Sequence, residues 1–326
     1  MMCVFVIAAI AFVACHNESD PAPADDGIEY LIPENAEVIV DAAGLFKTFK
    51  GDKFITTSDG DFGVLIGISA RRFYLPKDIE NYQTYYDLIT ADRKPNILKL
   101  TIGSQTDKGD PILKVELPDE ESEEYLKAKN RWDNFEEVDI NTETRSTTSL
   151  SDVIPNVSAM NSAFNYLASR SCHLLLANPC IPFQYAYDGC YARAHYMRKI
   201  LADNYEYNCW KIFAIGDLAA NTQPPSSCCV WWYWHVAPVV RVGTTSSYTE
   251  YVLDPSLFSS PVSKTTWLNK LKGSTCVSGD VDDYAVVSGT YYGLNSSGSF
   301  TTDPNYTNTN YIMNYYSTCS GCSSCY

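Results

Sequence analysis

Apolar residues first gather in one unbroken run, Val4–Ala14, which gives way at once to polar His16–Asp20. A helix crossing a bilayer needs about 20 such residues, so this shorter run fits the core of a signal peptide over residues 1–14. Residues 15–27, with Pro21, Pro23, Gly27 and several acids, show no period and read as a flexible tether. Period-two and continuous apolar stretches then predict strands at Glu37–Val40, Phe62–Ile68, Ile97–Ile102 and Ile112–Leu117. Ile79–Thr90 has helical spacing, with Tyr82, Tyr85, Tyr86 and Ile89 on one side, and Ser122–Trp132 reads as a charged helix. The spacing therefore predicts a small α+β domain over residues 28–140. Residues 141–148 are polar and aperiodic, with one basic residue, Arg145, and read as an exposed linker open to proteases. Beyond it, Cys190–Leu201 has helical spacing with Ala194, Met197 and Leu201 on a buried stripe. Cys229–Arg241 and Tyr248–Leu253 read as strands.

Composition divides the chain at the same place. The 326 residues suit two domains, 28–140 and 149–326. Residues 1–148 hold 15 Lys and Arg against 28 Asp and Glu; residues 149–326 hold 9 against 11. A net charge of -15 argues against a nucleic-acid partner, because phosphate backbones need a basic surface. Of the 12 cysteines, only Cys3 and Cys15 precede residue 149. In an exported chain this density implies disulfides. The run Cys319-x-x-Cys322-x-x-Cys325 has no histidine near it, so disulfides are preferred to zinc there, and no metal or cofactor is expected.

Cys190 differs from the other cysteines by its position. Asp188 is a candidate N-cap, Gly189 allows a tight approach, and Cys190 opens the helix that follows. There the helix dipole lowers a thiol pKa, and unbonded backbone N–H groups can receive an oxyanion. A nucleophilic cysteine also needs a base. His16 lies in the tether, His173 in a loop, and His195 on the Cys190 helix itself, where it reads as a surface or packing residue. His235 stands on a separate aromatic strand, and Asp254 ends the following strand just before Pro255. Taken singly, a histidine in an apolar strand is more often core and an aspartate before proline more often a turn. Their order, Cys at a helix start, then His and Asp on successive strands, is that of papain-like and transglutaminase-like enzymes. The expected fold is α+β, a cysteine-bearing helix packed on an antiparallel sheet.

Asp188-Gly-Cys-Tyr-Ala-Arg-Ala-His195, Trp232-Tyr-Trp-His-Val-Ala237 and Asp254-Pro-Ser-Leu-Phe-Ser-Ser260 closely resemble bacterial protein-glutaminase. So do Val153-Ile-Pro-Asn-Val157 and Tyr207-Asn-Cys209. The resemblance implies deamidation of glutamine side chains in proteins and peptides, with Cys190 as nucleophile, His235 as base and acid, and Asp254 as its orienter. It also implies a prosegment, residues 28–140, removed by an activating protease. The expected cover of the cleft is Phe62–Leu75, with Arg71 and Arg72. Alternatives are a transglutaminase-like acyltransferase, a cysteine peptidase, or a surface lipoprotein that binds through its aromatic residues. Phe12-Val-Ala-Cys15 resembles a bacterial lipobox, which implies a lipid anchor on Cys15, although no Lys or Arg precedes Lys47. The chain is expected to be exported, as an outer-membrane or cell-surface lipoprotein or as a periplasmic or secreted protein, and to be a monomer.

Overall fold

The structure, a computed structural model, describes residues 32–51, 53–133, 150–174, 179–224, 227, 229–273 and 278–319. The signal peptide, the tether with Cys15, and the linker 141–148 lie outside the described residues. The described N-terminal part builds a closed barrel in the order β1-β2-β3-β5-β4. Its elements are β1 (Glu37–Leu45), β2 (Phe62–Ile66), β3 (Phe73–Leu75), α1 (Tyr82–Thr90), β4 (Ile97–Ile102), β5 (Asp110–Glu116) and α2 (Glu123–Asp133). Val64, Ile66, Phe73, Leu75, Leu98, Leu100, Ile112 and Val115 fill the interior, closed on one side by Ile89 of α1. Asn96 ties α1 to the barrel, its amide donating to the carbonyls of Ala43, Leu88 and Ile89.

Phe62–Leu75, the segment expected to cover the cleft, is broken into two strands. Gly67 adopts φ +59, and a Cβ there would lie 2.6 Å from Asp41 Oδ2. The chain turns at this point, so residues 67–72 leave the barrel as a loop before β3 begins.

The C-terminal part holds α3 (Val157–Ser169), α4 (Cys190–Tyr205), β6 (Trp210–Asn221), β7 (Cys229–Thr244), β8 (Ser247–Val252), β9 (Val262–Ser263) and α5 (Lys264–Lys270). It continues with β10 (Asp283–Ser288), β11 (Tyr291–Leu294), β12 (Phe300–Thr302) and α6 (Thr307–Tyr315). An antiparallel sheet runs β10-β6-β7-β8-β9. Its long central strand β7 is buried through Trp232–Val240, as its continuous apolar sequence requires.

Helix α4 packs on β7, as expected, but burial is not confined to the Ala194–Met197–Leu201 stripe. Every residue from Cys190 to Met197 is buried. Helix α6, β11 and the barrel loop cover the sides that an amphipathic helix would give to water. Buried polar groups then need internal partners. His195 is held between the buried Lys211 Nζ, 2.8 Å from Nδ1, and the Asp303 carbonyl, 3.1 Å from Nε2, so it is a packing residue. Burial, with the adjoining Lys211 charge, holds His195 far below the usual histidine pKa, and it stays neutral.

The barrel sits directly on the C-terminal part. Lys53 pairs with Asp282 at 2.5 Å, Arg72 pairs with Asp217, and Tyr187 donates to both oxygens of Asp110 at 2.7 Å. Gly44 and Gly63 make the approach possible: added Cβ atoms would lie 2.4 Å from the Ser296 carbonyl oxygen and 2.8 Å from Tyr233 Cζ. Gly44→Val is therefore expected to cost about 1–3 kcal/mol through overpacking at this seat. A thermal melt of the intact chain should show a midpoint lower by roughly 2–4 °C per kcal/mol lost. An unchanged midpoint would mean that the barrel is not seated this way.

Candidate active site

Cys190 stands at the first position of α4, behind Gly189 in the left-handed region at φ 77. A Cβ on Gly189 would meet the Tyr316 ring at 2.9 Å, so both the turn and the packing call for glycine. Asp188 does not cap the helix. Gly189 occupies the cap position, and no side chain bonds the first turn. The Asp188 carboxylate instead accepts from the backbone N–H of Gly189 at 2.7 Å and of Ala70 at 3.1 Å, and from Ser69 Oγ at 2.7 Å. It is thus committed to the barrel loop.

His235 and Asp254 meet. Nε2 lies 2.9 Å from Asp254 Oδ2, and Trp267 Nε1 donates to the same oxygen at 2.9 Å. The Ser256 backbone N–H donates to Oδ1 at 3.2 Å. The imidazole is stacked between Trp232, at 4.5 Å and 14°, and Trp267, at 5.6 Å and 20°. Burial alone would push Asp254 up, but His235, the Trp267 donor and the Arg193 charge outweigh it and hold the carboxyl below its usual range. An ionised carboxylate fixes the proton on Nε2. Nδ1 then carries the lone pair, and it is buried without a hydrogen-bond partner.

The backbone N–H of the next residue, Val236, lies close enough to the Cys190 thiol to favour its ionised form. The same stretch of β7 thus brings the histidine and the cysteine helix together. Burial pushes the thiol up to about 12, against the Arg193 charge and this N–H, and the expected helix-terminus lowering does not prevail in the covered state. His173 is exposed and bonds Ser171 Oγ at 2.7 Å. Among the described residues no group of three His, Cys, Asp or Glu side chains is placed to hold a metal ion. Cys172 and Cys180 form a disulfide, Cys229 and Cys319 are also disulfide-bonded, and Cys190 and Cys209 are free thiols.

The loop 67–72 lies along the edge of β7 above Cys190. Tyr233 N–H donates to the Ala70 carbonyl at 3.1 Å, Trp234 Nε1 to the Ser69 carbonyl at 3.2 Å, and Arg71 bridges to Trp232 as a short antiparallel strand. The cover expected at Phe62–Leu75 is thus this loop, and Ala70 is fully buried in the same core as Cys190. Arg71 does not face the cleft. It turns back into the barrel, to Glu37 at 2.8 Å and Asp110 at 3.2 Å. Sequence reasoning missed Trp267, whose spacing from Asp254 carries no signal. It also missed Arg193, although a charge three residues after the cysteine on a buried helix could have marked it.

A glutaminase family model matches residues 160–271. Among curated protein sequences nothing matches. Among solved structures, a mutant of pro-protein-glutaminase is 32% identical, covering 89% of this chain and 96% of that chain, with a TM-score of 0.67. Pro-protein-glutaminase itself is 31% identical over 88% and 96%, with a TM-score of 0.66. Protein-glutaminase is 42% identical over 54% of this chain and 95% of that chain, with a TM-score of 0.50.

A thiol raised to about 12 is almost wholly protonated at pH 8. Iodoacetamide at pH 8, with labelling located by peptide mass spectrometry, should leave Cys190 unmodified in the intact chain. It should label Cys190 quickly once the chain is cut at the linker and the barrel is removed. Cys209, buried and raised to about 11, serves as the internal control and should stay unlabelled in both. Rapid labelling of Cys190 in the intact chain would contradict this geometry.

Proposed function

The chain belongs to the protein-glutaminase family, and from that premise we propose that it is made as a proenzyme and deamidates protein glutamine side chains through Cys190, His235 and Asp254. The observation that carries this reading is the buried Nδ1 of His235, without a hydrogen-bond partner and with its other nitrogen held by Asp254, on the strand whose next residue, Val236, lies near the free Cys190 thiol.

In the proposed course, His235 Nδ1 takes the Cys190 proton and the sulfur attacks the side-chain amide carbon. The resulting oxyanion lies at the start of α4, where the uncapped first turn supplies donors. His235 returns the proton to the departing nitrogen. Ammonia leaves, and a thioester links the glutamyl carbonyl to Cys190. Water, deprotonated by His235, attacks the thioester and releases glutamate and the thiol. Asp254 keeps the imidazole in the tautomer that both halves need and offsets its charge while it is protonated.

The barrel opposes each step while it remains seated. Loop 67–72 fills the cleft edge, and burial keeps the thiol neutral. We read residues 28–140 as the prosegment and the polar linker 141–148 as the place where an activating protease cuts. The leading apolar run and Cys15 support export and lipid attachment.

The acyl-thiol stage is shared with transglutaminases and cysteine peptidases, so the assay must separate the products. After limited proteolysis, the protein should release ammonia from a glutamine peptide with neither backbone cleavage nor amine incorporation. Cys190→Ala should abolish release, and His235→Ala and Asp254→Asn should each lower kcat by roughly 10²–10⁴-fold. Full activity in Cys190→Ala would overturn the assignment, and amine incorporation in place of hydrolysis of the side-chain amide would favour the acyltransferase.

A further inference from the structure

The covering loop also occupies a position beyond the reacting residues. Ala70 is held at both ends of its peptide unit, its N–H by Asp188 and its carbonyl by Tyr233 N–H. Side chains alternate along an extended segment. Arg71 accordingly turns into the barrel, and Arg72 returns to the C-terminal part, where its guanidinium pairs with Asp217. Arg72 is only 4% exposed, and its Nε has no hydrogen-bond partner of its own.

Asp217 is built into position. It lies where the β6–β7 register shifts between Ile215 and Leu218. Gly216 takes φ +146 there, and an added Cβ would meet the Asp280 carbonyl oxygen at 2.6 Å and the Asp282 nitrogen at 2.7 Å. The Asp280 and Asp282 N–H groups bond the carbonyls of Asp217 and Ile215, at 2.8 and 2.9 Å. Such a bulge re-aims a side chain out of the ladder. Here it turns a carboxylate towards the segment that lies on the cleft. The Tyr233 hydroxyl, fully buried and without a hydrogen-bond partner, lies within the field of both Arg72 and Asp217. Asp280 and Asp282 add further negative charge around Asp217.

We propose that Asp217 is a specificity-determining residue of the processed enzyme, selecting substrates with a basic side chain two residues after the glutamine. This rests on the deamidase reading and on the cleft holding a substrate backbone as it holds Ser69–Arg72, with the glutamine at the place of Ala70, which is buried in the core that holds Cys190. When the barrel leaves, Arg72 leaves with it and Asp217 stands open beside the cleft. An arginine or lysine of the substrate then takes the place of the Arg72 guanidinium, and an acidic side chain there is repelled.

The test uses the full chain after limited proteolysis and three peptides, Ac-Ala-Gln-Gly-Arg-Ala-amide and its versions with Ala or Glu in place of Arg. Ammonia release gives kcat/KM for each. The Arg peptide should exceed the Ala peptide roughly five- to tenfold, as a partly exposed ion pair allows, and the Glu peptide should be slowest. Asp217→Asn should bring the Arg-to-Ala ratio close to one, and Asp217→Lys should place the Glu peptide above the Arg peptide. Equal rates for the three peptides with the unmodified protein, or an Arg preference that survives in Asp217→Asn, would overturn the inference while leaving deamidation intact. Absence of ammonia from all three would overturn the deamidase reading itself, and the inference with it.

Discussion

The hydrogen bond between His235 Nε2 and Asp254 Oδ2 is the contact around which the C-terminal part is arranged. Both groups are buried, and removing either partner of such a pair leaves an unsatisfied group, at a cost of about 3–5 kcal/mol. Three devices hold the pair in one geometry. Trp232 and Trp267 stack on the two sides of the imidazole, Trp267 donates to the carboxylate, and the turn at Ser256 supplies a backbone N–H. With the ring plane and the tautomer set, the remaining nitrogen has one place to point. The residue after the histidine, Val236, lies near the sulfur of Cys190 and favours its ionised form. The two tryptophans therefore immobilise the ring.

That arrangement leaves a stretch of β7 edge without a neighbouring strand, near the Cys190 thiol. An open strand edge pairs readily with any extended chain, which is both what a protein-modifying enzyme needs and what makes it hazardous before release. The barrel resolves the conflict by lending its own extended loop to that edge. The N-terminal part is strongly acidic, yet it meets the cleft region through Arg72 and Lys53, which pair with Asp217 and Asp282. Cover and electrostatics work in the same direction. The loop excludes water from Cys190, and burial then keeps the thiol protonated.

Much of this was legible in the amino-acid sequence because the relevant signals are local. The helix beginning at Cys190, the aromatic strand around His235 and the strand ending before Asp254 each follow from periodicity and turn chemistry. The three motifs together carried the family resemblance. What stayed hidden depends on distant packing. Asp188 looked like a cap from its neighbours alone; its real partners are Ser69 and Ala70, more than a hundred residues earlier in the chain. The lowering of the Cys190 pKa expected at a helix start was outweighed by burial under a segment whose docking no local pattern announces. The break of Phe62–Leu75 at Gly67 turned on one aspartate across the barrel, Asp41. The part of Asp217 in the seat turned on a bulge that two remote backbone N–H groups maintain.

In the proposed mechanism one sulfur becomes covalently bonded to the glutamyl carbonyl. Acid quenching of the processed protein within milliseconds of mixing with a glutamine peptide, followed by intact-mass and peptide-mapping mass spectrometry, tests it directly. A transient adduct equal to the peptide mass less ammonia is expected, located on Cys190 and lost on treatment with hydroxylamine. Ammonia release with no adduct on Cys190 at any quench time, in protein that turns over with a measurable burst, would contradict it.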